Sequence, residues 1–357
     1  MNKVARSSNP VAVWIFIGVA MLLIQVMLGG ITRLTGSGLS ITEWNIITGT
    51  LPPLHEGQWM EEFDKYKQTP QFQLLNVDFT LSDFKFIFFW EWLHRFWARL
   101  IGVAFVAGFV YLVSRGKLKK EMQNPLLILF LLGALQGAIG WIMVASGLTG
   151  DAVYVKPTRL ALHFIFALGL IAYAFWFLLQ LIVPPRQRVV RAGMRKFVWA
   201  ILALIAVQLI FGALMAGHKA ATAAATWPDI NGSLIPEGLF REKPMLLNLI
   251  DNKLTIHFIH RTLAYILLLL IGLFTWKLYR ASVSPLIARI RLIPLLLVIV
   301  QALLGIYSLL VSPRIIPNHW GAFEWLAQLH QVVGMLLMLS FVAFLYLFKR
   351  KPADILS

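Results

Sequence analysis

Residues 86–113 read FIFFWEWLHRFWARLIGVAFVAGFVYLV. This apolar run exceeds the roughly 20 residues that cross a bilayer core. Near its start it is interrupted by Glu91, His94, Arg95 and Arg99. Ionisable side chains at membrane depth are costly, so they mark a functional site by default. A second run, residues 254–279, reads LTIHFIHRTLAYILLLLIGLFTWKLY and carries the same His-Arg pair at His260 and Arg261.

Working outward from these two stretches, eight apolar runs emerge: 12–31, 86–113, 125–146, 159–183, 196–217, 254–279, 290–311 and 325–348. The 357-residue chain is 59% hydrophobic and 13% charged, about half the charge of an ordinary soluble domain. The pattern predicts an all-α polytopic membrane protein. The net charge of +16 does not signal nucleic-acid binding, because the basic residues sit in short loops between spans and no soluble basic domain is present. The absence of cysteine excludes disulfides, thiolate haem ligation, iron–sulfur clusters and covalent c-type haem attachment.

The loops alternate in character. One set is basic: Lys3 and Arg6; Arg115, Lys117, Lys119 and Lys120; Arg186, Arg188, Arg191, Arg195 and Lys196; Lys277, Arg280, Arg289 and Arg291; Lys349, Arg350 and Lys351. The other set, 32–85, 147–158, 218–253 and 312–324, is longer and of mixed charge. The positive-inside rule assigns the basic set and both termini to the cytoplasm. The even-numbered spans then run inward from the outer face.

Those even spans carry one histidine each at matching depth: His94, His163, His260 and His330, with separations of 69 and 70 residues within each pair. The odd spans echo one another too. Gln25 before Gly29-Gly30 recurs as Gln208 before Gly212, and Gln136 before Gly140 recurs as Gln301 before Gly305. The expectation is a duplication: two pseudo-symmetric four-helix bundles, residues 1–190 and 191–357, in parallel because four spans return the chain to the same side. The glycines, with Gly137, read as helix-packing positions.

Each pair of inward-running helices can present two imidazoles about 8–12 Å below the outer face. Neutral imidazole is a good axial ligand for haem iron, and a bundle core is a common haem site. Arg95 and Arg261 are then candidates to meet haem propionates, with Arg99 and Arg159 as weaker ones. The competing reading is four satisfied core histidines or ligands of another metal. Zinc fits poorly without an i,i+4 histidine pair or added carboxylates. His55, His218 and His319 fall in outer loops and read as surface residues, and His257 as a neighbour of the site or an interfacial residue.

The halves differ at one position. Glu91 precedes His94 by three residues, and His257 occupies the matching place before His260. A carboxylate there either moves a proton and stabilises positive charge, or forms a structural ion pair with Arg95 or Arg99. The asymmetry favours one half for chemistry and one for electron transfer. It weighs against a dihaem b-type cytochrome that only relays electrons from quinol. A transporter is disfavoured because the ionisable residues cluster near one face.

Glu91-x-x-His94-Arg95, the segment Thr32-Arg33-Leu34-Thr35-Gly36-Ser37-Gly38-Leu39-Ser40, and Thr226-Trp227-Pro228…Asn231-Gly232 together resemble the haem A synthase family, over nearly the whole chain. The resemblance implies an inner-membrane oxidoreductase of cytochrome oxidase assembly that converts the C8 methyl of haem O to a formyl group, giving haem A. It implies that His94 and His163 flank haem O, that His260 and His330 ligate a haem b cofactor, and that Glu91 is catalytic. It also implies contact with the haem O-forming farnesyltransferase and oxidase assembly factors, and is compatible with a homo-oligomer. Many members carry a cysteine pair in the outer loops, so this chain resembles the cysteine-free bacterial type.

Overall fold

The computed structural model describes residues 9–44, 48–316 and 319–349. Eleven α-helices are described: α1 Pro10–Leu34, α2 Glu56–Lys67, α3 Pro70–Leu75, α4 Leu81–Ser114, α5 Gln123–Ala145, α6 Pro157–Ile182, α7 Ala192–Gly217, α8 Lys253–Arg280, α9 Pro285–Ile290, α10 Ile293–Val311 and α11 Ala322–Leu347. Eight of them are long and apolar enough to span a bilayer, namely α1, α4, α5, α6, α7, α8, α10 and α11. They correspond to the eight runs read from the sequence. Lys3, Arg6, Arg350 and Lys351 lie outside the described residues.

Local signals set the helix ends. Asn9 caps α1 through its side chain, with Pro10 in the first turn. Thr80 and Asp83 form a reciprocal capping box at α4. Asn252 caps α8, and Glu324 accepts the Gly321 backbone N–H at α11. The expected seventh span, 290–311, falls within the apolar segment Pro285–Arg314, which is built from α9 and α10. The chain breaks at Arg291-Leu292 between α9 and α10, and α10 begins only at Ile293, with Pro294 in its first turn. Proline suits a first turn and disfavours helix in the residue before it.

Helices α1, α6, α7 and α11 form the centre, with α4 and α5 flanking one side and α8 and α10 the other. α11 is the most enclosed span, and α4 and α5 are the least. The α1–α4 seam is tied by Trp14 Nε1 and Trp97 Nε1, which donate to the carbonyls of Ala104 and Met21, and by Thr32 Oγ1, which donates to Trp90 O. Across the centre, Gln328 and Gln331 of α11 donate to the carbonyls of Met27 and Val26 on α1. A Cβ at Gly30 would stand 2.3 Å from Gln328 Oε1 and 2.8 Å from Gln331 Nε2, so a larger residue there would displace both glutamine side chains. At the basic end, Arg188 and Arg195 donate to the last carbonyls of α11, and β1 (Val189–Val190) pairs in parallel with β2 (Phe348–Lys349).

At the opposite end, α2, α3 and the start of α4 enclose an aromatic cluster of Phe63, Tyr66, Phe72, Phe84 and Phe88. Burial pushes the Tyr66 phenol up to about 12. It stays protonated, donating to Gln71 Oε1 while accepting from Asn76. These short helices pack against the start of α4. The corresponding 218–253 segment has no α-helix and is held by short 3-10 turns and the buried Asn248.

Candidate functional site

All four span histidines line one continuous cavity of about 1720 Å³, together with Glu91, Arg95, Arg99, His257 and Arg261. That exceeds the roughly 300–1,000 Å³ of a single small-molecule site. Each histidine lies against a glycine of a neighbouring helix. A Cβ at Gly29 would be 3.2 Å from His94, at Gly140 2.9 Å from His163, at Gly212 3.2 Å from His260 and at Gly305 2.9 Å from His330. The glycines leave room for imidazole rings as well as for helices. Gly137 departs from the packing expectation altogether, since a Cβ there would meet nothing within 4 Å.

The repeated glutamines reach the same rings. Gln25 Nε2 donates to His94 O, and Gln136 Nε2 lies 3.0 Å from both His163 O and His163 Nδ1. Gln208 Nε2 is 3.4 Å from His260 Nε2, and Gln301 Nε2 is 3.3 Å from His330 Nε2. The sequence marks these glutamines only as repeat positions. Their contact with the histidines is visible only once α1, α5, α7 and α10 are packed. All four side-chain carbonyl oxygens are buried without a protein partner.

The second pair is the better defined. The His260 and His330 rings have centroids 6.3 Å apart. At that spacing both imidazoles could reach one metal held between them. His330 Nδ1 donates to Gln301 O at 3.0 Å, which fixes the tautomer with its lone pair on Nε2, the atom that Gln301 Nε2 approaches at 3.3 Å. His260 Nδ1 is buried without a protein partner. Among the described residues no group of three histidines or carboxylates gathers as a separate metal site.

Glu91 is buried at 2% exposure and held on three sides. Its Oε1 receives Arg95 Nη2 at 2.6 Å, and its Oε2 receives Ser40 Oγ at 2.7 Å and the Ile41 backbone N–H at 2.9 Å. Between the two partners considered for an ion pair, Arg95 is the one that makes it. The sequence pattern does not reveal Ser40 and Ile41 as partners, because a loop some fifty residues away supplies them. His257, at the matching position, is buried at 1% exposure, so the interfacial alternative does not hold.

Arg95 and Arg261 do equivalent work on equivalent loops. Arg95 donates to Ile41 O and Glu43 O and lies over the Trp44 ring. Arg261 donates to Ala224 O, Thr226 O and Asp229 O. Each guanidinium thus clamps a loop, Arg95 the one after α1 and Arg261 the one after α7. Arg159 donates to Ile142 O. His55 caps α2 from an exposed position, His218 bonds Ile250 O, and His319 is exposed at the cavity rim.

Fold and site define a polytopic helical membrane protein whose helices enclose one cavity lined by two histidine pairs, with a buried carboxylate beside one of them. A family model described as COX15-CtaA, cytochrome oxidase assembly protein, matches residues 12–342. A "Heme A synthase" of Flavobacterium psychrophilum is 38% identical over 97% of this chain and 100% of its own length. Proteins of the same name from Bradyrhizobium diazoefficiens and Rhodospirillum centenum are each 43% identical, over 87% and 79% of this chain and 87% and 75% of their own lengths. The chain belongs to this family, that of the haem A synthases.

Proposed function

We propose that this protein is a haem A synthase that oxidises the C8 methyl of haem O to a formyl group. Haem O lies between His94 and His163, and a haem b cofactor between His260 and His330. One observation carries the reading: the same glycine-backed histidine pair occurs twice, and only one of the two has a carboxylate beside it. A relay of electrons needs no such difference. We further propose that residues 1–190 and 191–357 are duplicated halves, and that the basic loops and both termini face the cytoplasm of a bacterial inner membrane.

The residues fit haem b. His260 and His330 stand at ligating separation, and the Gln301 carbonyl holds His330 in the ligating tautomer. When bound, haem b supplies one-electron redox chemistry. In the first half, conversion of the methyl to the formyl group would pass through two hydroxylations and loss of water from the gem-diol; overall it adds one oxygen atom and removes four electrons and four protons when balanced with water, and the electrons must go to an oxidant from outside this chain. The protein's part there is orientation and charge. Ser40, Ile41 N–H and Arg95 fix the Glu91 carboxylate at the cavity wall, where it takes up a proton or balances positive charge developing on the substrate. Arg95 and Arg261, already at the rim, have further guanidinium donors for haem propionates.

The test is pigment extraction from the purified protein, co-expressed with a source of haem O, with identification by chromatography and mass. Haem b accompanied by haem O, haem A or a hydroxylated intermediate is the expected result. Haem b alone would replace this reading with an electron-transfer cytochrome.

A further inference from the structure

At the basic end of the molecule, remote from the histidines, the two halves are built differently. In the second half three chain segments are sewn together there. Gln187 Oε1 accepts the Leu286 N–H, Arg191 Nη2 donates to Ser282 O, and Val190 pairs with Lys349. The 3-10 turn Pro185–Gln187 packs on α9, which turns Ile287 into the core and leaves Arg289 outside. These segments, 183–196, 277–292 and 348–349, hold ten Lys and Arg and no Asp or Glu. Arg188 and Arg195 reach the α11 carbonyls. The side chains of Arg186, Lys196 and Arg289 are exposed instead, and among the described residues no hydrogen bond or ion pair holds them. In the first half the corresponding link, 115–122, carries Glu121 among its basic residues, and its backbone hydrogen bonds reach only the link itself and the end of α4.

We propose that this end of the second half is a seat for an anionic phospholipid, with the headgroup phosphate among Arg186, Lys196 and Arg289 and the acyl chains on the apolar helix surface below. The inference is independent of which haem each half holds. Three features select a lipid. The cations have no carboxylate in their segments to compete with a phosphate. Half-exposed aromatic rings lie beside them at the end of α8, where Arg280 stands over Trp276 and the Arg291 guanidinium lies 3.6 Å over Tyr279. Such rings sit at headgroup depth in a bilayer. Further along the same helices Leu269, Leu273 and Leu296 are exposed and apolar. A nucleic acid or a free phosphate would use the first feature only, whereas a phospholipid uses all three. Basic clusters between helix ends on one membrane face are suited to anionic headgroups. A lipid held there would brace the α6–α7 link, α9 and the end of α11 as one unit.

The test compares the two halves. Arg186→Gln with Arg289→Gln is made in the full-length protein, and Lys117→Gln with Lys119→Gln serves as the matched pair in the first half. Each protein, purified in neutral detergent, is titrated separately with phosphatidylglycerol and phosphatidylcholine, and bound lipid is counted by native mass spectrometry. The expected result is a preference for phosphatidylglycerol, binding weaker by about tenfold or more in the arginine pair, and little change in the lysine pair. The single variants Arg186→Gln and Arg289→Gln, each expected to lose several-fold, carry the test if the double variant does not fold. Equal affinity for the two lipids would overturn the proposal. Equal loss in both pairs would overturn it as well, because the cations would then act as a diffuse field and not as a seat. Displacement of the lipid by an equal concentration of inorganic phosphate would assign the cations to a soluble anion instead.

Discussion

In the second half of the molecule, His330 hydrogen-bonds the Gln301 carbonyl, the seam beside it is filled by leucine, isoleucine and valine, and a buried histidine, His257, stands one turn from His260. In the first half, His163 Nδ1 meets the Gln136 amide nitrogen instead of a carbonyl, the matching seam is open at Gly102 and Gly133, and Glu91 takes the place of His257. The cradles themselves match, glycine for glycine and glutamine for glutamine. What differs is the hydrogen bonding of the histidine, the packing of the seam and the charge beside it. The differences all point the same way, which is a stronger argument than any one of them.

The comparison can be broken at several places. The largest effect is expected at Glu91. Glu91→Gln removes the charge and keeps the shape, and it should cut haem A formation by about 10²–10⁴-fold while resident haem b is unchanged. His257→Gln should leave turnover within a few-fold of normal. A wild-type rate for the Glu91→Gln enzyme, measured as haem A per protein, would remove the chemical distinction between the halves.

Arg95→Ala comes next. It strips a partner from a buried carboxylate, a change that costs about 3–5 kcal/mol, and it should lower the thermal midpoint clearly in a detergent melt. Arg261→Ala breaks hydrogen bonds to neutral carbonyls only, so its cost should be nearer 1.5–3 kcal/mol. Equal melts would mean that the two clamps are energetically the same despite Glu91.

Ser40→Ala removes one donor from Glu91 and should cost about 1.5–3 kcal/mol, with a modest fall in turnover and no change in haem b. The smallest effect concerns the second loop. The Thr226 hydroxyl and the Gly232 N–H hold the Asp229 carboxyl below its ordinary value. A depressed carboxylate contributes stability above its unfolded pKa of about 3.9 and loses it as pH falls through the folded value. The exchange protection of the Asn231 and Gly232 amides, which bond Thr226 Oγ1 and Asp229 Oδ1, measured against the intrinsic rate at each pH, should therefore fall below about pH 4. Protection that persists there would show that Arg261 alone orders the loop.

Much of this is legible in the sequence, because lipid imposes a simple code. Eight apolar runs must be helices, since only internally satisfied backbone crosses a bilayer, and histidines recurring at equal depth in alternate runs stand out against that background. The seventh span is legible, but its division into α9 and α10 at Arg291-Leu292 is not, because the apolar pattern runs on through the break. The partners of Glu91 are hidden because Ser40 and Ile41 come from a loop whose path no local pattern encodes. The glycines mislead in part. At Gly30 the packing reading is right, but Gly29, Gly140, Gly212 and Gly305 make room for imidazoles, and Gly102 and Gly133 for nothing within the protein. Glycine records only that space is needed, and what fills the space is decided by tertiary structure.

The most direct test of the division of labour is pigment analysis of two double variants made alongside a source of haem O: His94→Ala with His163→Ala, and His260→Ala with His330→Ala. The account predicts that the first pair retains haem b and loses haem O and haem A, while the second pair loses haem b. Haem b lost from the first pair and kept by the second would contradict it and exchange the roles of the two halves.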